Sequence, residues 1–127
     1  MDSMWTEPDI LVLKLGGELI ESGSDLKRVA GDLANAAECQ PTVVVHGGGH
    51  EIDAEMKRAG IRKQAVDGLR ITDESTLEVA ISVLAGRVNT RLVAAVNAAG
   101  RPAVGLTGAD GEIGLAELAP PYASRDI

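Results

Sequence analysis

"VVVHGGGHEID", Val43–Asp53, is the stretch on which the reading of the chain turns. A β-branched apolar run leaves through a histidine and three glycines and passes directly into acidic, helix-compatible sequence. Each glycine loses more backbone freedom on folding than any other residue, so a triplet needs an offsetting gain. Two gains are open on the turn alone: a crowded strand-to-helix corner that admits no side chain, or an anion approaching bare main-chain N–H groups. A helix that starts at the glycines would aim its positive end and its unpaired first N–H groups at such an anion.

Working outward, "ILVLKL" (Ile10–Leu15) is a second short apolar run, stopped by Gly16 and Gly17. It predicts a buried first strand with a tight exit. From Ser24, an expected N-cap, Leu26, Val29, Leu33 and Ala37 recur at helical spacing. Thr42–His46 then predicts the second strand, and Ile52, Met56 and Ala59 predict a helix stopped by Gly60. Strand, helix, strand, helix with apolar strands implies an α/β fold: a mainly parallel sheet covered by helices on both faces. The two glycine turns, "KLGG" and "HGGG", would then meet at the carboxyl edge of adjacent parallel strands, where open α/β sheets bind ligands.

Ile61–Ile71, with "VDG" at its centre, reads as a hairpin lying over the domain. Thr72 is expected to cap a helix with Asp73 and Glu74 in its first turn and a core stripe of Leu77, Ile81, Leu84 and Val88. Gly86 is expected to kink or divide that helix before Leu92 and Val96. Ala103–Thr107 predicts a third sheet strand, followed by the turn-rich "GADGEIG". Pro120 and Pro121 end any regular element.

Composition narrows the function. The 127 residues are 45% hydrophobic and 24% charged, as for one soluble globular domain. The formal net charge is -7, the basic residues are scattered, and Trp5 and Tyr122 are the sole aromatics, which together exclude a nucleic-acid surface. The acidic opening and Lys14 within the first apolar run exclude a signal peptide or membrane span. Cys39 is the single cysteine. It permits no intrachain disulfide and suits a reducing cytoplasm. His46 and His50 lack metal-ligand spacing, so no protein metal site is expected, and His46 reads as a structural group bonding its own turn.

Lys14 is the informative cation. A lysine in an apolar strand is costly to bury unless its ammonium snorkels to water or meets a partner at the strand end. With glycines immediately beyond, a phosphate-facing role is the better reading. Arg70, in "DGLRIT", either forks onto a carboxylate or makes an ordinary surface ion pair. Asp110 is expected to form a turn rather than join the site.

"VLKLGGELI", "VVVHGGG", "VDGLRITDESTLEVAISVLAGRVNTRLV" and "AVGLTGADG", in this order, resemble the amino-acid kinase family, and within it the kinases of N-acetyl-L-glutamate in arginine biosynthesis. The resemblance runs from Ile10 to about Gly111. It implies a three-layer αβα sandwich and transfer of the ATP γ-phosphoryl group, with Mg²⁺, to the side-chain carboxylate of N-acetyl-L-glutamate. On matching positions it implies that Lys14 stabilises charge on the phosphoryl group in flight and that Gly16 and Gly17 contact phosphates. Gly48 and Gly49 would bind substrate through their backbone, and Arg70 would hold its α-carboxylate.

Members of the family run to roughly twice this length. The resemblance therefore implies a tail at 1–9 and an amino-terminal, substrate-binding and dimerising domain at 10–127. The nucleotide-binding half, with its Asn–Asp substrate segment and second phosphate-directed lysine, would lie outside the chain. Little or no kinase activity is expected from residues 1–127 alone. The short tail implies a homodimer insensitive to arginine. The neighbouring reading is a kinase of carrier-bound aminoadipate in lysine biosynthesis, for which Arg62, Lys63 and Arg70 offer only a thin basic surface. The reading from another class is a non-catalytic module that binds acyl-amino acids or dimerises.

Overall fold

The computed structural model describes residues 9–117, and the expectations at Pro120 and Pro121 lie outside them. The first strand, β1 (Leu11–Leu15), pairs in parallel with β2 (Thr42–His46), in a register that sets Lys14 beside Val45 and Leu15 beside His46. Their crossover contains the short helix α1 (Glu18–Glu21) and the long helix α2 (Gly23–Cys39). After β2 come α3 (Gly49–Arg58) and a hairpin of β3 (Ala65–Val66) and β4 (Leu69–Arg70). A helical rod follows: α4 (Glu74–Ile81), a π-helical stretch (Ser82–Val88) and α5 (Asn89–Ala98). The result is a mixed α/β architecture with a parallel sheet, as the alternation of elements implied, and it is consistent with the amino-acid kinase fold.

The alternating strand residues explain where the core sits. Leu13, Leu15 and Val44 face helices and join Leu26, Val29, Leu33, Ile52, Met56, Val83, Val88, Leu92 and Val96 in one cluster. Val12, Val43 and Val45 lie on the opposite face and are 63%, 48% and 47% exposed. The described residues thus cover one face of the sheet, where the strands' composition suggested two. Alternation sets the exposed Lys14 on the same open face as Val12.

Several local expectations shift by a residue or a turn. The α2 cap is Ser22, whose hydroxyl accepts from Asp25 N at 3.2 Å, rather than Ser24. The α4 cap is Asp73, whose carboxylate accepts from Thr76 N at 2.8 Å, rather than Thr72. In both places several side-chain oxygens lie within two residues of the helix start, and the chain's entry direction selects among them. Thr76 and Ser75 hold the Asp73 carboxyl below its usual range.

The core stripe expected along α4 is also corrected. Leu77 and Ile81 are 49% and 56% exposed, while Thr76, Val83 and Val88 are buried. The π-helical stretch accounts for the change, because each wider turn takes up an additional residue and rotates the following side chains around the axis. Gly86 lies within this stretch, which divides the helix, one of the two outcomes expected there. The rod from Glu74 to Ala98 is long and apolar enough to cross a membrane by composition. Here it is a core element, contributing Val83, Val88, Leu92 and Val96 and anchoring Arg87 and Arg91 on α3.

The Ile61–Ile71 excursion is a hairpin, as expected. Its two-residue loop has φ of 49° at Asp67 and 80° at Gly68. Positive φ at both loop positions is what a type I′ turn requires, which explains "DG". Ala103–Thr107, by contrast, forms no ladder with β2 among the described residues. Ala103 N instead bonds Asn97 Oδ1 at 2.9 Å. Its apolar composition suits a strand, but strand formation needs a partner in register as well.

Candidate active site

The two glycine turns meet. Gly47 N donates to Leu15 O at 3.1 Å, carrying the parallel pairing one residue beyond the strands. A Cβ placed on Gly17 would lie 3.1 Å from both N and Cα of Gly48. A Cβ on the buried Gly48 would lie 2.9 Å from Leu84 Cδ2 and 3.3 Å from Val88 Cγ2, so the π-helical stretch forms the seat of the second turn. Gly17 and Gly48 are therefore glycines because the corner is crowded.

Gly16 and Gly49 are different. Both are exposed, and a Cβ on either would meet no atom of the described residues within 4 Å. Packing does not demand glycine there. Gly48 is the N-cap of α3, and the first intrahelical bond is Ile52 N to Gly48 O at 3.0 Å. The N–H groups of Gly49, His50 and Glu51 thus precede any intrahelical acceptor, and the helix dipole adds to their pull on an anion. His46 Nδ1 lies 3.1 Å from Gly47 O, a bond to its own turn as the sequence suggested.

Charges surround this corner in a definite order. Lys14 is exposed and has no ion-pair partner among the described residues. Glu21 stands at the rim, its carboxylate 3.6 Å from His50 Nδ1. Glu51 and Arg91 form a two-pronged pair, with Nη1 to Oε2 at 3.2 Å and Nη2 on Oε1. The Glu51 carboxylate raises the Arg91 pKa further, and Arg91 Nε is buried without a hydrogen-bond partner. One turn along α3, Arg87 reaches Glu55 at 2.9 Å. These pairs lock α3, and with it the glycine turn, against the rod.

Arg70 is brought to the same helix from the hairpin. Its Nη2 donates to Asp53 Oδ1, and its Nη1 approaches Met56 Sδ at 2.9 Å. Lys63 Nζ donates to the other Asp53 oxygen at 2.6 Å. The Lys63 hydrogen bond, followed by that of Arg70, holds the Asp53 carboxyl below its ordinary value against the opposing effect of partial burial. Arg70 therefore has the ion pair that was one of its two sequence readings. It still has donors to spare, since guanidinium carries five. Asp110 closes a turn, accepting from Thr107 N and Oγ1 at 2.6 and 2.8 Å, and the Thr107 bonds lower its pKa.

The structure brings Gly16, Gly17, Gly48 and Gly49 to one edge of the sheet and sets Arg70 on the hairpin beside α3. The sequence reading missed Asp53, Lys63, Glu51 and Arg91. Their partners lie 10 to 40 residues away, beyond any local pattern. No group of three or more His, Cys, Asp or Glu side chains among the described residues is arranged to hold a metal ion.

Residues 9–125 match the amino acid kinase family. The chain belongs to that family. Among curated relatives, the acetylglutamate kinase of Methanopyrus kandleri is 44% identical over 106 residues, which are 84% of this chain and 39% of the relative. That of Rhodopseudomonas palustris is 41% identical over 114 residues, 89% of this chain and 38% of the relative. The chain thus spans about two fifths of the length of the curated relatives it matches. Among solved structures, the N-acetylglutamate synthase of Neisseria gonorrhoeae, in complex with coenzyme A and N-acetyl-glutamate, superposes with a TM-score of 0.63. It is 31% identical, and the match covers 75% of this chain and 22% of that one.

Proposed function

We propose that the chain is the substrate-binding, amino-terminal part of an acetylglutamate kinase, which transfers the γ-phosphoryl group of ATP to the side-chain carboxylate of N-acetyl-L-glutamate. The observation that carries this reading is the glycine corner. Gly16 and Gly49 are free of any packing demand among the described residues, N–H groups with no intrahelical acceptor begin α3 beside them, and a cation without a carboxylate partner among the described residues lies two residues before Gly16. This is the chemistry of an anion cradle.

On this reading the acceptor needs no general base, because a carboxylate with a reference pKa near ~4 is already ionised at neutral pH. A carboxylate oxygen forms the new bond to the γ-phosphorus, and the bond from that phosphorus to the β,γ-bridging oxygen breaks with ADP as leaving group. The protein contributes position and charge neutralisation. Gly48 and Gly49 hold the substrate by their backbone, Arg70 holds its α-carboxylate, and Gly16 and Gly17 lie against the phosphates. Lys14 offsets the negative charge in flight. Mg²⁺ bound with the nucleotide would supply further neutralisation of phosphate charge. The protein is read as a cytoplasmic homodimer.

Residues 1–127 alone are expected to bind N-acetyl-L-glutamate weakly and to form no acyl phosphate. Amide shifts at Gly48, Gly49 and Arg70 in a ¹⁵N NMR titration check the first part, and hydroxylamine trapping with ATP checks the second. Shifts confined to other residues would remove the site reading, and trapped hydroxamate would remove the claim of inactivity. In the complete enzyme, Arg70→Lys is expected to raise KM for N-acetyl-L-glutamate about tenfold, as a point charge replaces a two-pronged fork. An unchanged KM would leave Arg70 with its ion pair alone.

The likeness to a synthase solved with N-acetyl-glutamate favours, as a second reading, a module that binds the acyl-amino acid without phosphorylating it. Lys14 argues for the kinase, since binding N-acetyl-glutamate at the glycine turn and Arg70 leaves this cation unused. The aminoadipate reading is weakened because Asp53 already engages Lys63, one of the few cations open to an acidic carrier. Assay of both substrates with the complete enzyme separates these readings.

A further inference from the structure

We propose that Asp53 is a positioning residue that fixes the Arg70 fork relative to the glycine turn, and so sets selectivity for an α-carboxylate on the bound acyl-amino acid. The inference rests on the reading of Arg70 as the α-carboxylate ligand. The hairpin that carries Arg70 has only two ladder pairs, Ala65 with Arg70 and Val66 with Leu69. A two-stranded ribbon of that size is marginal by itself. Asp53 ties it down at both ends. One carboxylate oxygen takes Lys63, just before β3, and the other takes Arg70, in β4.

Asp53 belongs to the same helix whose N-cap is Gly48. Asp53 lies five steps along the helix from Gly48, a rise of about 7.5 Å that is rigid on the scale of a side chain. The glycine N–H groups and the guanidinium are thereby mounted on one rod. Met56, which is 1% exposed, backs Arg70 Nη1 through its sulfur and limits the guanidinium from the core side. One carboxylate between two cations leaves a net positive charge on the group. Asp53 therefore orients Arg70 without cancelling the attraction for an incoming anion.

The test uses ¹⁵N titrations of the chain with N-acetyl-L-glutamate and with its α-carboxamide analogue. Asp53→Asn preserves shape and removes the charge that orients the fork. It is expected to raise Kd for N-acetyl-L-glutamate about tenfold and to shrink the preference over the carboxamide, the size of effect expected for losing an oriented charge-assisted bond. Asp53→Glu keeps the charge but displaces the fork, and should raise Kd at least about threefold. In an Arg70→Ala background, Asp53→Asn should change Kd less than about twofold, because its effect passes through Arg70.

Wild-type affinity in both Asp53 variants, or a full Asp53→Asn effect persisting without Arg70, overturns the proposal. Tighter binding in Asp53→Asn also overturns it, since Asp53 would then be a competitor of the ligand. If Arg70→Ala alone leaves Kd unchanged, the α-carboxylate reading itself fails. If Arg70→Ala weakens binding and Asp53→Asn does not, only the present inference fails.

Discussion

Lys14→Ala in the complete enzyme is expected to lower kcat by roughly 10²–10³-fold while KM for N-acetyl-L-glutamate stays within about threefold, the pattern for loss of a charge stabiliser that acts in the transition state. The expectation follows from where the strand puts the side chain. β1 alternates, so Lys14 leaves the face that packs on the helices and stands exposed beside Val45, without an ion-pair partner among the described residues. A cation with no internal partner contributes little to folding, and its truncation should leave Tm nearly unchanged. Its value arises when negative charge develops next to it. Steady-state kinetics and a thermal melt of the same variant decide between roles. Weaker binding at equal kcat would assign Lys14 to ground-state binding, and a large fall in Tm would make it structural. Lys14→Arg should recover only part of the rate, because a planar fork cannot place its charge where a compact ammonium does.

Much of this arrangement was legible because it is local. Apolar runs bounded by glycine marked β1 and β2, helical spacing marked α2 and α3, and "VDG" marked the hairpin whose loop has positive φ at Asp67 and Gly68. What could not be read depends on partners remote in sequence. The buried face of the rod is set by the π-helical stretch, which packs Leu84 and Val88 over Gly48, and no periodicity in Leu77, Ile81, Leu84 and Val88 reports a contact made nearly 40 residues away. Ala103–Thr107 has strand composition without a ladder among the described residues. Asp53 looked like one more acid on a helix until the hairpin brought two cations to it. At the candidate site, the glycines were visible as a motif, yet their division into crowded and open positions is a three-dimensional fact.

That division carries the second large effect. Gly48→Val is expected to lower stability by roughly 3 kcal/mol and Tm by roughly 10 °C, at the upper end for overpacking. The backbone at Gly48 has φ of 168°, an extended value open to any residue, so strain in φ is not the cause. Sterics are. The new side chain would enter between Leu84 Cδ2 and Val88 Cγ2, at 2.9 and 3.3 Å from its Cβ. Leu84 is half-buried and its tip can turn aside, but Val88 is 0% exposed and has nowhere to go. Retreat of the turn in the other direction is blocked by Gly17, whose backbone lies against Gly48. Gly49→Ala provides the contrast. Its Cβ meets no atom of the described residues within 4 Å, so Tm should hold within about 2 °C, whereas a methyl group placed over the first N–H groups of α3 should weaken N-acetyl-L-glutamate binding several-fold. Thermal melts and ¹⁵N titrations of the two variants measure both quantities. An unchanged Tm in Gly48→Val would mean that the second turn is not tightly seated on Leu84 and Val88. Unchanged binding in Gly49→Ala would mean that the open glycine serves no ligand, and the anion cradle would lose its main support.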